Sequence, residues 1–217
     1  MIQIPVHNIS GEQVGSVDVN EELLGGEVRE ILLKQAYVRY HANRRLGVAR
    51  TKNRADTSYS TRKLYKQKGT GNARRGSAGT NIMRHGGHGF AKRPKSWRQK
   101  MPTKMRRLAN RNAILAKAVD NEIKLVEGFN FDKPSTKQFN SLLAALKIDR
   151  TCLVALADTR SNEAKSAKNL ENVNTIQVEQ LNVFDLLNHR YLLADKEAFE
   201  AYVSKISGQA KANEEAA

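Results

Sequence analysis

The chain has 217 residues, with 37 Lys or Arg against 22 Asp or Glu and a formal charge of +15 at pH 7. Its length predicts one ordinary domain plus a basic part that such a domain does not account for. A lone cysteine, Cys152, excludes a disulfide or cysteine–zinc framework and suits a reducing compartment. No apolar run reaches membrane-spanning length, and the opening MIQIPVHNISG has neither the basic-then-apolar order of a signal peptide nor a transit-peptide pattern, so a cytoplasmic protein is expected.

Ile2, Ile4 and Val6 alternate with other residues, Asn8, Ser10 and Gly11 mark a turn, and Val14, Val17 and Val19 resume the alternation, which predicts a hairpin or two short strands. After Gly25-Gly26, Val28, Ile31, Leu32, Gln35 or Ala36, and Val38 recur at helical spacing and predict a helix ending near Gly47. Helical periodicity returns only at Thr103, read as an N-cap, with Met105, Leu108, Leu115 and Val119 as the apolar face. Beyond it, strands are predicted at Ile123–Val126, Cys152–Ala157 and Thr175–Val178. The helices between and after them are one capped by Ser135, one over Asn162–Leu170, one after Asn182 carrying Phe184, Leu187 and Tyr191, and a last one starting at Asp195. Strands separated by helices require crossover connections, so an α/β domain is expected, with a mostly parallel sheet flanked by helices. The predicted layout is a globular domain over 1–47 and 103–207, an extended basic loop over 48–102, and a flexible tail over 208–217.

The interval 48–102 has no apolar repeat at period 2 or 3.6 and is far longer than ordinary connections. Charge is concentrated around it. Residues 39–111 contain 22 Lys or Arg and a single acid, Asp56, whereas the other 144 carry 15 Lys or Arg against 21 acids. Such a field opposes compaction and calls for a polyanion, whose phosphates would neutralise it and release counterions. Anionic lipid is the competing partner, but the interval lacks an amphipathic apolar face, its large apolar residues Phe90 and Trp97 standing isolated.

Within it, KQKGTGNARRGSAGTNIMRHGGHGF (66–90) holds seven of the fourteen glycines and no carboxylate. Glycine lets a backbone approach phosphate or base closely, and arginine can grip phosphates bidentately or stack on bases. The composition predicts a segment that folds on binding RNA, with a flexible linker as the plainer alternative. The candidate RNA-contacting side chains are Arg44, Arg45, Arg50, Lys52, Arg54, Arg62, Lys63, Lys66, Lys68, Arg74, Arg75, Arg84, His85, His88, Lys92, Arg93, Lys95, Arg98, Lys100, Lys104, Arg106, Arg107 and Arg111.

Sharper motifs fail on their own chemistry. Gly71 to Gly76 has the outer spacing of a phosphate-binding loop, but Ser77-Ala78 stands where Lys-Ser/Thr is required. Gly76 to Gly79 fits a GxxG clamp without the helices that flank one. His85 and His88 have no Cys, Asp or Glu nearby to complete a metal shell. No catalytic set converges, and Asp158, after a buried strand, reads as a turn cap. No cofactor, metal or small-molecule substrate is therefore expected.

KQKGTGNARRGS (66–77) closely resembles the signature of ribosomal protein four of the large subunit, the universal L-four family in its bacterial form, in which an aromatic, a basic residue and QKGTG-x-AR-x-G recur. RHGGHGFAKRP (84–94) is similar to that family's glycine-rich return arm. Two departures stand out: Asn72 occupies a position where a basic residue is expected, and the Ser-Pro-Ile-Trp that often precedes the glycine run is missing. The resemblance implies a non-catalytic constituent of the large ribosomal subunit that binds large-subunit ribosomal RNA, adjoins other ribosomal proteins and supports assembly. It further implies that Gln67, Lys68, Gly69, Thr70, Gly71, Asn72, Ala73 and Arg74 form a loop tip near the peptide exit tunnel. The alternatives left by the residues alone are an RNA-directed enzyme with a basic arm and a nucleic-acid regulator outside the ribosome.

Overall fold

The alternating residues at the start of the chain form β1 (Ile2–His7) and β2 (Gln13–Val19), an antiparallel hairpin that turns Ile4, Val6 and Val19 into the core. A 3-10 turn at Glu22–Leu24 leads to α1 (Glu30–Arg44), and α2 (Thr103–Val119) follows the long interval. The chain then alternates through β3 (Ile123–Val126), α3 (Thr136–Ala145), β4 (Cys152–Leu156), α4 (Asn162–Ala167), β5 (Val173–Gln177), α5 (Val183–Asn188), β6 (Tyr191–Asp195) and α6 (Lys196–Glu214). This computed structural model describes the backbone of residues 1–214 and the side chains of residues 1–207, so the tail expected over 208–217 lies outside the residues whose side chains are described. Among the described residues no helix is long and apolar enough to cross a membrane.

The six strands form one sheet in the order β2-β1-β3-β6-β4-β5, parallel throughout except for the β1–β2 hairpin. Period-two geometry splits the central strands between two cores. Leu153 and Ala155 of β4, Leu192 and Ala194 of β6, and Ile123 and Leu125 of β3 join Ile114, Leu115 and Phe199 on one face. Cys152, Val154 and Leu156, with Leu193 and Val126, join Phe139, Leu142 and Leu143 on the other. Cys152 is wholly buried there, and burial pushes its thiol pKa up to about 12, so it packs as a small hydrophobe.

Local signals account for several element ends. The Ser135 hydroxyl accepts from the Gln138 amide at the start of α3, and Ser161 and Asn182 do the same for Ala164 and Asp185 at the starts of α4 and α5, each cap stabilising by about 1 kcal/mol. Asp158 accepts from the Arg160 amide at 3.0 Å, closing the turn after β4. In α2, the buried Asn112 accepts from Arg29 N at 2.6 Å and donates to Glu27 O at 2.5 Å, fixing the segment that enters α1. Lys117, almost fully buried, is satisfied by Glu122 at 2.5 Å and by the Arg190 carbonyl at 2.7 Å.

Four local readings are corrected. Tyr191 lies on a strand, not on the helix predicted after Asn182: α5 ends at Asn188, and YLLAD forms β6 between β3 and β4. A short apolar run buried on both faces has no periodicity that separates strand from helix. Pro102, not Thr103, is the N-cap of α2, and it offers no side-chain cap. On α1 the buried residues are Leu33 and Ala36, while Ile31 and Val38 are exposed. On α2 they are Ala109, Asn112, Ala113, Ile114, Leu115, Lys117 and Ala118, leaving Met105 and Val119 exposed, because small residues let this helix lie close to the sheet.

Candidate nucleic-acid interface

Residues Ala42–Gln99 make one compact unit, and Met1–His41 with Lys100 onward make the other. The 42–99 unit is held by nested pairings between its outgoing and returning halves. At its base the Asn43 amide accepts from Gln99 N at 2.7 Å, and the Gly47 carbonyl accepts from Lys95 N at 2.9 Å. Between these, Trp97 has the Arg45 guanidinium 3.8 Å and the Lys95 ammonium 4.4 Å from its ring centre, a cation–π arrangement. Further along, Thr51 N donates to Lys92 O and His88 N donates to Lys52 O, both at 3.0 Å, and Asn53 bridges to His88. Farther still, Leu64 N donates to Gly76 O at 3.0 Å, and the Tyr65 hydroxyl donates to the Ala73 carbonyl.

These pairings enclose Lys66–Asn72, so the chain reverses there. The reversal uses Gly69 and Gly71 at φ +83° and +66°, a region that side chains disfavour, with open space around both. Gln67, Lys68, Thr70, Asn72, Ala73 and Arg74 surround them, all exposed.

Glycine has a different task at the middle of the unit. Gly79 and Gly87 are its only buried residues. A Cβ on Gly79 would enter the Tyr59 ring, and one on Gly87 would strike the backbone of Asn53 and Arg54. The interior is thus backbone packed on backbone, with one aromatic ring laid on it. Sequence reading took these glycines as freedom awaiting a partner; here they are sites of close approach within the unit itself.

The side chains face outward. Sixteen Lys or Arg share this unit with the single carboxylate Asp56, which is occupied by Arg50 at 3.1 Å and by the Asn53 amide at 3.3 Å. Lys52, Arg54, Arg62, Lys63, Lys66, Lys68, Arg74, Arg84, Lys92, Arg93, Lys95 and Arg98 are exposed, as are Arg44 and Arg45. Arg75 is half-buried, its guanidinium 3.2 Å from the Met83 sulfur. His85 and His88 are exposed, and His85 takes a left-handed conformation at φ 63°. Among the described residues no group of three His, Cys, Asp or Glu could hold a metal ion. Lys100, Lys104, Arg106, Arg107 and Arg111 belong to the other unit, the last four on α2.

Three aromatic features went unassigned in the sequence reading. Phe90 is entirely exposed beside Lys92 and Arg93, Tyr59 covers Gly79, and Trp97 receives the two cations. The signal for Phe90 was present in its isolation among polar residues. Nothing local could pair Tyr59 with a glycine 20 residues away.

An arm with a polar backbone interior and cations on its surface can hold polyanion phosphates and present aromatic faces to bases. Residues 17–205 match the model of the ribosomal protein L4/L1 family. The chain is 38% identical over 208 residues to the large ribosomal subunit protein uL4 of Dehalococcoides mccartyi, covering 96% of this chain and 99% of that protein. It is 36% identical over 206 residues to the protein of the same name from Desulfatibacillum aliphaticivorans, covering 95% and 100%. With the one from Moorella thermoacetica it shares 38% over 198 residues, covering 91% and 96%. The chain belongs to the ribosomal protein L4/L1 family.

Proposed function

We propose that this protein is a structural, non-catalytic constituent of the large ribosomal subunit in the cytoplasm. The 42–99 arm binds large-subunit ribosomal RNA and supports assembly, and Gln67–Arg74 at its reversal lines part of the peptide exit tunnel. The observation that carries the reading is the arm's composition in three dimensions: sixteen cations against one carboxylate, with only Gly79 and Gly87 buried. A unit without an apolar core gains little by folding for its own sake, and its self-repulsion is relieved when phosphates surround it. The backbone pairings set its course, while RNA supplies the remaining stabilisation.

Sedimentation tests the assignment. The protein is expected in one-to-one ratio with the large subunit under associating conditions, and a mostly free pool would overturn it. Binding of the full chain to a large-subunit RNA transcript should weaken steeply as salt rises, because each phosphate contact releases counterions. Arg74→Ala with Arg75→Ala should impair subunit assembly or tunnel structure while leaving the melting temperature of the free protein nearly unchanged.

A further inference from the structure

One edge of the sheet carries charge opposite in sign to the arm's. Residues 1–28 hold five carboxylates and neither Lys nor Arg, in a chain whose formal charge is +15. They include β2, which ends the sheet beyond β1 and pairs with no other strand among the described residues. Gln13, Val14, Gly15, Ser16 and Asp18 of this strand are exposed. Open edges invite pairing with another chain and are ordinarily blunted by Pro, by Lys or by very short length. β2 is seven residues long and contains neither Pro nor Lys. Its one irregularity is Val14, skipped by the register between Val6↔Gly15 and His7↔Gln13.

The backbone pairing fixes which groups of β2 are free. Asn8 N donates to Glu12 O and His7 O accepts from Glu127 N, both at 2.9 Å, so Asn8 turns toward the β2 side and His7 toward β3. Peptide groups alternate sides along a strand, which turns Val6, Ile4 and Ile2 toward β2 and makes Val6↔Gly15, Ile4↔Val17 and Ile2↔Val19 the hydrogen-bonded pairs. Pro5, without an N–H, accordingly stands opposite Ser16 in a non-bonded pair. The N–H and C=O groups of Ser16 and Asp18 therefore point away from the sheet. The Asp18 carboxylate makes no hydrogen bond or ion pair among the described residues, and the Glu12 carboxylate accepts only from Asn8 Nδ2, at 3.1 Å.

We propose that the free edge of β2 docks an extended, lysine- and arginine-rich segment of another large-subunit protein as a further strand of the sheet. The main chain of that segment pairs with Ser16 and Asp18, and its cations meet Glu12 and Asp18. The inference rests on the reading of the protein as a constituent of the large subunit. Strand addition supplies affinity through main-chain hydrogen bonds, while flanking side chains choose the partner. Charge decides between occupants. RNA phosphates are repelled by five carboxylates without a Lys or Arg among them. A second copy pairing β2 on β2 would set Glu12 and Asp18 against their equals, and like charges placed opposite one another destabilise a strand pair. A basic polypeptide has both the backbone that Ser16 and Asp18 lack and the sign of charge that the edge calls for.

The test compares the free full-length protein with the purified large subunit. Amide hydrogen exchange at Ser16 and Asp18 should be fast in the free protein and about tenfold or more slower in the subunit, whereas Gly15 and Val17, bonded to β1, should be protected in both. Carbodiimide coupling, which joins a carboxylate to a lysine in contact with it, should link Glu12 or Asp18 to a lysine in a basic stretch of another large-subunit protein. The ion pairs Lys205–Glu179 at 2.6 Å and Lys196–Glu127 at 3.0 Å calibrate that reaction within the same chain. Glu12→Lys with Asp18→Lys should abolish the protection gained at Ser16 while leaving the melting temperature of the free protein nearly unchanged. Equal exchange at Ser16 in free protein and subunit would overturn the proposal, as would full protection retained in the double variant. Protection without a cross-link to another protein, the result expected of RNA cover, or a cross-link to a second copy of this chain would also overturn it. In each of these results the protein still sediments with the large subunit, so the proposed function stands; a protein absent from the subunit would remove both readings.

Discussion

Gly87 is where the arm's construction can be tested most directly. A methyl group there would lie 2.5 Å from the Asn53 carbonyl carbon and 2.6 Å from the Arg54 Cα, with Arg54 N closer still. All three are backbone atoms, so no side chain can rotate away. Relieving the overlap requires the two halves of the arm to part by about 1 Å. That would stretch two bonds past hydrogen-bonding distance: His88 N to Lys52 O at 3.0 Å and Gly87 N to Gly79 O at 3.2 Å. At roughly 0.5–1.5 kcal/mol each, Gly87→Ala should cost the arm about 1–3 kcal/mol of local stability. Local opening would then be favoured about 5- to 150-fold at the affected amides. Amide hydrogen exchange on the free protein should show that loss at Gly87 and His88, with Val154 in β4 unaffected and the melting temperature little changed. Unaltered protection at His88 in the variant would refute the close-packing argument. Absence of any protection at His88 in the parent would show that these pairings do not form without RNA.

Leu143→Ala and Leu142→Ala should both destabilise the α/β unit by about 2–5 kcal/mol in denaturant unfolding, with Leu142 the costlier of the two; Leu142 is 1% exposed and Leu143 8%, so an inverted order would contradict the packing. Cys152, its thiol pushed up to about 12 by burial, should resist alkylation at pH 8 in the native state and react at the rate of unfolding; prompt labelling of folded protein would contradict its placement. Burial raises the Asp195 pKa, with Glu197 and Glu163 adding to the rise, against backbone amides of Ala198 and Glu197 that lower it. A raised folded pKa contributes stability that is full below the ordinary value of 3.8 and is lost as pH climbs through the folded value. Asp195→Asn should therefore raise the melting temperature at pH 7 and lose that advantage below pH 3.8, and a lower melting temperature at pH 7 would refute the sign.

The amino-acid sequence by itself determined the features whose causes are local. The cationic and glycine-rich composition of 48–102, with Asp56 its single acid, marked the arm, and KQKGTGNARRGS carried the family resemblance. Ser135 capped α3 as read, since a cap is a contact between residues three apart. Alternation of strands and helices was enough for an α/β sheet because parallel neighbours require crossovers. Tertiary structure decided what depends on distant partners. β6 becomes a central strand only because β3 and β4 lie on either side of YLLAD, and that burial erases the periodicity that would have named it. The inward face of α2 was set by close packing of Ala109 and Ala113, where an apolar-periodicity argument favours the larger Met105; on α1 Ala36 turns inward as read, whereas Ile31 stays exposed. Gly79 faces Tyr59, and Lys205 shares an open cleft with Arg111 across 94 residues of chain. Such meetings arise from the path of the backbone, and residue type at either end carries no record of them.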